Sequence, residues 1–119
     1  MTDLEVRPIS RKECDSHVNS GDVQRLVVAL ISMAIYGDDR DYARTFASNH
    51  LRHEDPDVVS AAILSVGHCA RLDGVCDVPQ IREMFRLLAR DEQYVGRIED
   101  AVDDIVTFTG ISRDEILQR

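Results

Sequence analysis

The sequence predicts an all-α fold: a short right-handed α-solenoid of about three antiparallel helix pairs, one domain across residues 1–119. Three observations predict it. The stretch Asp55-Pro56-Asp57-Val58-Val59-Ser60-Ala61-Ala62-Ile63-Leu64 reads as a helix with its own start signal, and versions of it recur about 36 residues away on both sides. Asn19, Asp55 and Asp91 fall in register, as do Val23, Val59 and Val95; Leu26, Ala62 and Ile98; Leu30, Val66 and Val102; and Met33, Cys69 and Ile105. Gly74 and Gly110 close their copies in register, and Gly37 does so one place out of it. Self-similarity at this period marks a stacked-repeat architecture. Within each copy the apolar residues recur at three- and four-residue steps, the helical spacing. No segment alternates as a strand would, and no Asn-Gly or Asp-Gly turn separates β-branched runs.

Residues 1–8 read as a loose lead-in ending at Pro8. Ser10 and Glu13 form a capping box for a short helix from about 11 to 17, where Ser takes an N–H of the first turn and Glu reaches back. It stops near Asn19-Ser20-Gly21. Asp22 to Tyr36 is the most apolar helix, with Val23, Leu26, Val27, Leu30, Met33 and Ala34 on one face and Val28, Ala29 and Ile31 on the other. A helix apolar most of the way round is buried by neighbours on two sides.

Acids at Asp38, Asp39 and Asp41 precede the next helix, where they favour its positive end. Its stripe is Tyr42, Ala43, Phe46, Ala47, His50 and Leu51. Asp55 then caps the central helix, with Pro56 at the first helical position, where its missing N–H costs nothing. Val58, Val59, Ala62, Val66, Cys69 and Ala70 are its buried face, and it ends near Asp73-Gly74. Asp77-Val78-Pro79 starts a fifth helix, with Ile81, Met84, Phe85, Leu87 and Leu88 inward. Asp91 starts the third copy, which runs to about Thr109 with Val95, Ile98, Val102, Ile105 and Val106 inward. Ser112 with Glu115 is a second capping box, Ile111 with Ile116 has the spacing of a hydrophobic staple, and a last short helix runs to the C-terminus.

Composition narrows the function classes. Net charge is −8, from 14 basic and 22 acidic residues. Nucleic-acid binding needs clustered Lys and Arg, and an anionic membrane surface needs the same. Acidity of this size suits a basic partner instead. Cys14, Cys69 and Cys76 are an odd number without C-x-x-C spacing, which argues against a disulfide framework or a zinc site and for a reducing cytosol. No apolar run follows a basic start at the N-terminus, so no signal peptide is expected.

The unit from Tyr42 to Leu72 resembles a HEAT repeat, through Asp55-Pro56 at the inter-helix turn, Val58-Val59, Ala61-Ala62 and Gly67. The unit from Val78 to Thr109 keeps Asp91, Val95 and Ile98, but has Glu92 in place of proline and Asp100 and Asp103 where small residues are usual. The first unit is more degenerate, with Asn19-Ser20 at the turn. The resemblance implies the fold and a binding-scaffold role, since such solenoids are mostly binding surfaces.

Three constellations could carry chemistry. His50, His53 and Glu54, with His68 one helix away, offer two imidazoles and a carboxylate for a divalent metal. HEAT-type deoxyhypusine hydroxylases hold iron with several His-Glu dyads; here His53-Glu54 alone matches, and Ala89-Arg90 stands in register. Cys14 with His17, or Cys69 with a histidine, lacks any activating third group. The third is acidic: Asp91, Glu92, Glu99, Asp100, Asp103 and Asp104, with Arg97 the lone base among them. Asp100 and Asp104 project together from the far side, Asp103 flanks them, and Glu99 edges the buried stripe. HEAT-like alkylpurine glycosylases need a basic concave face, the opposite sign. The expectation is therefore a non-catalytic, cofactor-free binding protein, monomeric when unbound, using Arg97, Glu99, Asp100, Asp103 and Asp104. By analogy with short helical immunity proteins of bacterial growth-inhibition systems, the partner would be a toxin domain, such as a basic nuclease. A general HEAT-like adaptor is the alternative, and a His/Glu metal enzyme the third class.

Overall fold

The computed structural model describes residues 5–117. Among them stand seven α-helices: α1 (Arg11–Asn19), α2 (Val23–Tyr36), α3 (Arg40–Asn49), α4 (Pro56–Asp73), α5 (Val78–Leu88), α6 (Glu92–Thr109) and α7 (Arg113–Leu117). A single 3-10 turn, His50–Arg52, extends α3. The described residues form no strand.

Most of the local start signals act as the sequence predicts. Ser10 accepts from the Glu13 N–H at 3.1 Å while Glu13 accepts from the Ser10 N–H at 3.1 Å. Asp55 accepts from Asp57 at 2.8 Å and Val58 at 3.4 Å, with Pro56 in the first turn. Asp91 accepts from Gln93 at 3.1 Å. The Ser112–Glu115 box closes with both arms, at 3.2 and 3.4 Å. Asp77 makes no side-chain cap bond. In the first copy the cap is Asp22, which accepts from Arg25 at 3.2 Å, and not Asn19, the last residue of α1. The chain turns at Gly21 (φ 71°), so α2 begins about one turn later than register alone implies.

The three closing glycines serve two purposes. Gly74 and Gly110 adopt the left-handed conformation, φ 68° and 78°, that ends a helix and that a side chain resists. Gly37 is extended instead; a Cβ there would sit 2.3 Å from Met33 Sδ and 2.6 Å from the Met33 carbonyl oxygen.

α4 lies between α2 and α6 and packs most extensively against both. Arg40 ties two C-terminal ends together: its guanidinium donates to the carbonyls of Ala34 (2.8 Å) and Gly37 (3.1 Å) and to Asp73 (2.7 Å). Gly74, just past α4, approaches the carbonyl of Phe108 near the end of α6. At the other end Gln24, Ser60 and Arg97 line one groove. The three repeat helices therefore run side by side in one direction. Gly67 faces α6 across this contact: a Cβ there would lie 3.1 Å from Asp104 Oδ2 and 3.4 Å from Ala101 Cα. The register is written in the burial: Leu26, Ala62 and Ile98; Leu30, Val66 and Val102; and Met33, Cys69 and Ile105 are all buried. Ala29, Ser65 and Ala101 share a further buried level.

On the other side α1 packs on α2, and α3 packs on α4 and α2. α5 lies more against α7 than against α6, so the third pair is looser than a simple helix hairpin. Arg82 of α5 donates to the Glu115 carbonyl at 2.8 Å across that contact.

Three inward assignments are corrected. Val95 and Val106 are 41% and 37% exposed, and Leu87 is 54% exposed. Tyr94 and Ala101 join Ile98, Val102 and Ile105 in the buried face of α6. The reason is positional. The register equivalents of Val95 and Val106 in α4 are Val59 and Ala70, both buried, because α4 has a helix on either side. Beyond α4, the described part of α6 packs only lightly, against α5 and the short α7. The lead-in is also less loose than expected: the Arg7 N–H donates to Ser32 Oγ at 3.1 Å, and its guanidinium pairs with Glu13 at 2.8 Å. Residues 1–4 of that lead-in, and the final two residues expected in α7, lie outside the described residues.

Candidate functional site

The acidic residues of α6 fall on two different sides of the helix. Glu99 and Asp103 face α7, where Arg113 pairs with Glu99 and lies 3.6 Å from Asp103. Their register equivalents in α4 are Ile63 and Gly67, both buried against a neighbour. Charge here suits the outer side of α6, where an apolar side chain would be left in water. Asp104 leans the other way, over α4: its Oδ2 would lie 3.1 Å from a Cβ on Gly67. Asp104 is half-buried, while Asp100 and Arg97 are exposed on the same side of the helix. The five residues are thus not one cluster. Glu99 and Asp103 are joined to Arg113, and Arg97, Asp100 and Asp104 border the surface shared by α4 and α6.

His68 belongs to that shared surface. Burial lowers its pKa from the ordinary 6.5, Arg71 lowers it further, and the negative charge of Asp104 opposes both. Sequence reasoning treated His68 as a companion of His50 and His53; the structure gives it Asp104 as its acidic neighbour.

His50 and His53 lie elsewhere, on a column of rings along α3. Tyr42 stacks on Phe46 at 5.6 Å, Phe46 meets His50 edge-on at 4.7 Å, and His50 stacks with His53 at 6.3 Å. The Arg11 guanidinium covers the Tyr42 end at 4.2 Å. His50 Nδ1 lies 2.8 Å from the Phe46 carbonyl, and His53 Nδ1 accepts from the Asp55 N–H at 3.0 Å. One nitrogen of each ring is therefore engaged by backbone. Among the described residues no three His, Cys, Asp or Glu side chains come together as a metal site.

The thiols are poor nucleophiles. Burial pushes Cys14 up to about 12, and Cys69 and Cys76 up to about 11. At neutral pH they stay protonated, and the thiolate is the reactive form.

A feature the sequence reasoning missed is the junction of α2, α3 and α4. Asp73, whose side chain is 7% exposed, accepts from Arg40 Nε at 2.7 Å and from an Arg44 terminal nitrogen at 2.8 Å. Arg44 also pairs with Asp41. The available signal was Arg40 and Arg44 one helical turn apart, with Asp73 immediately before a closing glycine. A polar cleft of about 480 Å³ opens beside it, between α3 and the α4–α5 loop, lined in part by Asp41, Arg44, Ser48, Cys76 and Asp77. Its guanidinium is already committed to two carboxylates and its thiol is protonated, so the cleft holds no activated nucleophile.

No known protein family, curated protein or solved structure matches the chain. Among the described residues no helix is long and apolar enough to cross a membrane.

Proposed function

We propose that this chain is a non-catalytic protein-binding module. Its most concrete form is an immunity protein that neutralises a cognate toxin domain, such as a basic nuclease, by direct binding. The observation that carries the reading is the charge of α6 and its cap: six acidic residues from Asp91 to Asp104 against Arg97 alone, in a chain of net charge −8. Asp100 and Asp104 are the centre of the proposed contact because Arg113 already engages Glu99 and Asp103. Complementary charge speeds encounter and rejects wrong partners. The layer of α2, α4 and α6 reads as one wall of a right-handed HEAT-like solenoid of about three helix pairs, with the charged side of α6 as its terminal cap. Three free thiols suit the reducing cytosol.

A general HEAT-like adaptor is the second reading. It is favoured by a groove of about 270 Å³ between α2 and α4, walled by Val27, Ile31, Ala61 and Leu64. Capture of the native partner from the host separates the two, since a toxin domain supports the first and a resident complex the second. With the partner in hand, Asp100→Asn combined with Asp104→Asn is expected to slow association about tenfold at low salt and to flatten its salt dependence. An unchanged on-rate would remove these residues from the interface.

A further inference from the structure

Tyr36, Leu72 and Phe108 hold one register position of the three copies, 36 residues apart. All three are exposed, at 47%, 58% and 46%. Any one exposed apolar side chain is ordinary. Three at the same position of three parallel, adjacent helices form a row along one edge of the fold. The edge is well defined: Arg40 bridges the ends of α2 and α4, and the Arg71 guanidinium sits 5.8 Å from the Phe108 ring, bridging the ends of α4 and α6.

Packed helices lie about 8–10 Å apart, so the row has steps of about 8–10 Å and a length of about 16–20 Å. An α-helix laid across it rises about 1.5 Å per residue, and residues seven apart on one face are about 10.5 Å apart. The steps match. An extended strand does not fit, because its same-face residues fall at about 6.6 or 13 Å. Charge sets the direction. Each helix C-terminus carries partial negative charge. Arg40 answers that of α2 and Arg71 that of α4, its guanidinium reaching the Phe108 ring, so the negative charge left along the α6 end of the row is that of its own carboxylates. Asp104 lies one turn before Phe108, and Asp100 one turn before that.

We propose that this row docks an amphipathic helix of a protein partner, with apolar anchors seven residues apart and Lys or Arg at the end that lies over α6. The proposal rests on the reading of the chain as a protein-binding module and adds where and how the partner is held. Single anchors in such contacts often dominate the binding energy.

The test uses two synthetic helical peptides of identical composition, about 18 residues long, so that each spans the row. One carries three leucines seven apart with lysines at one end; the other carries the same leucines five apart, scattered round the helix. Fluorescence anisotropy against the whole chain is expected to give the striped peptide an affinity about tenfold higher. Leu72→Ser with Phe108→Ser should abolish that advantage, and Tyr36→Ser should reduce it, with circular dichroism verifying that each variant keeps its helix content. Asp104→Asn should weaken the striped peptide more than the scattered one at low salt. Equal affinity of the two peptides, or an advantage that survives the double substitution, overturns the row. If native-partner binding ignores Asp100→Asn/Asp104→Asn while the peptide preference stands, the acidic contact fails and the row survives. If the charge variant loses the partner while the peptides bind equally, the module stands and the row falls.

Discussion

Replacing Asp73 by alanine should be among the most damaging single polar changes in the chain. The carboxylate is 7% exposed and accepts two short charged bonds, from Arg40 at 2.7 Å and Arg44 at 2.8 Å. Removing one partner of a buried ion pair costs about 3–5 kcal/mol, because the remaining charge is left uncompensated. Here the loss is smaller. The two arginine side chains are 28% and 22% exposed, so water screens them in part. Arg40 also keeps its bonds to the carbonyls of Ala34 and Gly37, and Arg44 keeps Asp41. About 2–3 kcal/mol is therefore expected. For a chain of this length that lowers Tm by about 8–12 °C. Urea unfolding followed by far-UV circular dichroism measures it directly. Asp73→Asn, which retains an acceptor, should lose less than Asp73→Ala. A double-mutant cycle with Arg44→Met should return a coupling of about 1 kcal/mol or more. A loss under about 1 kcal/mol for Asp73→Ala, or one that vanishes at high salt, would show a surface pair of little consequence.

Further perturbations test α2, α4 and α6. His68 should titrate below the ordinary 6.5, because burial disfavours its charged form. The unfolded chain then takes up the proton first, so this contribution to stability is present above the ordinary value and lost as pH falls through the folded one. Asp104→Asn should lower the His68 midpoint further, which proton NMR of the imidazole would register; a midpoint at or above the ordinary value would contradict the burial of this ring. Two glycine substitutions should have opposite signs in thermal melts. Gly37→Ala places a Cβ 2.6 Å from the Met33 carbonyl oxygen and should cost about 2 kcal/mol. Gly96→Ala, exposed within α6 with nothing within 4 Å of the new Cβ, should stabilise by about 0.5–1 kcal/mol.

The elements were legible because their signals are local. Ser10 with Glu13, Asp55 with Pro56, Asp91, and Ser112 with Glu115 each act on an N–H two or three residues away, and the described helices start where these stand. The 36-residue register was also legible, since it is only a comparison of the chain with itself; it located the buried levels from Leu26, Ala62 and Ile98 to Met33, Cys69 and Ile105. It failed at Asn19, where the turn at Gly21 moved the cap to Asp22. It failed again at Val95 and Val106, because a repeat pattern describes an interior unit and α6 is at the end of the row.

The acidic residues make the same distinction from the side of function. Sequence alone determined that α6 departs from its copies, with Arg97-Ile98-Glu99-Asp100 in place of Ala61-Ala62-Ile63-Leu64. Tertiary structure decided which part of that departure is structural. Glu99 and Asp103 turn to Arg113 at the uncovered end, and Asp104 turns to Gly67 and His68 on α4. It also decided the edge row, since Tyr36, Leu72 and Phe108 are 36 residues apart in the chain and become neighbours only once α2, α4 and α6 lie parallel. Helical periodicity and caps depend on contacts within a few residues, so they can be read along the chain. Which side of a helix meets water depends on how many helices stand beside it, and that is settled by packing.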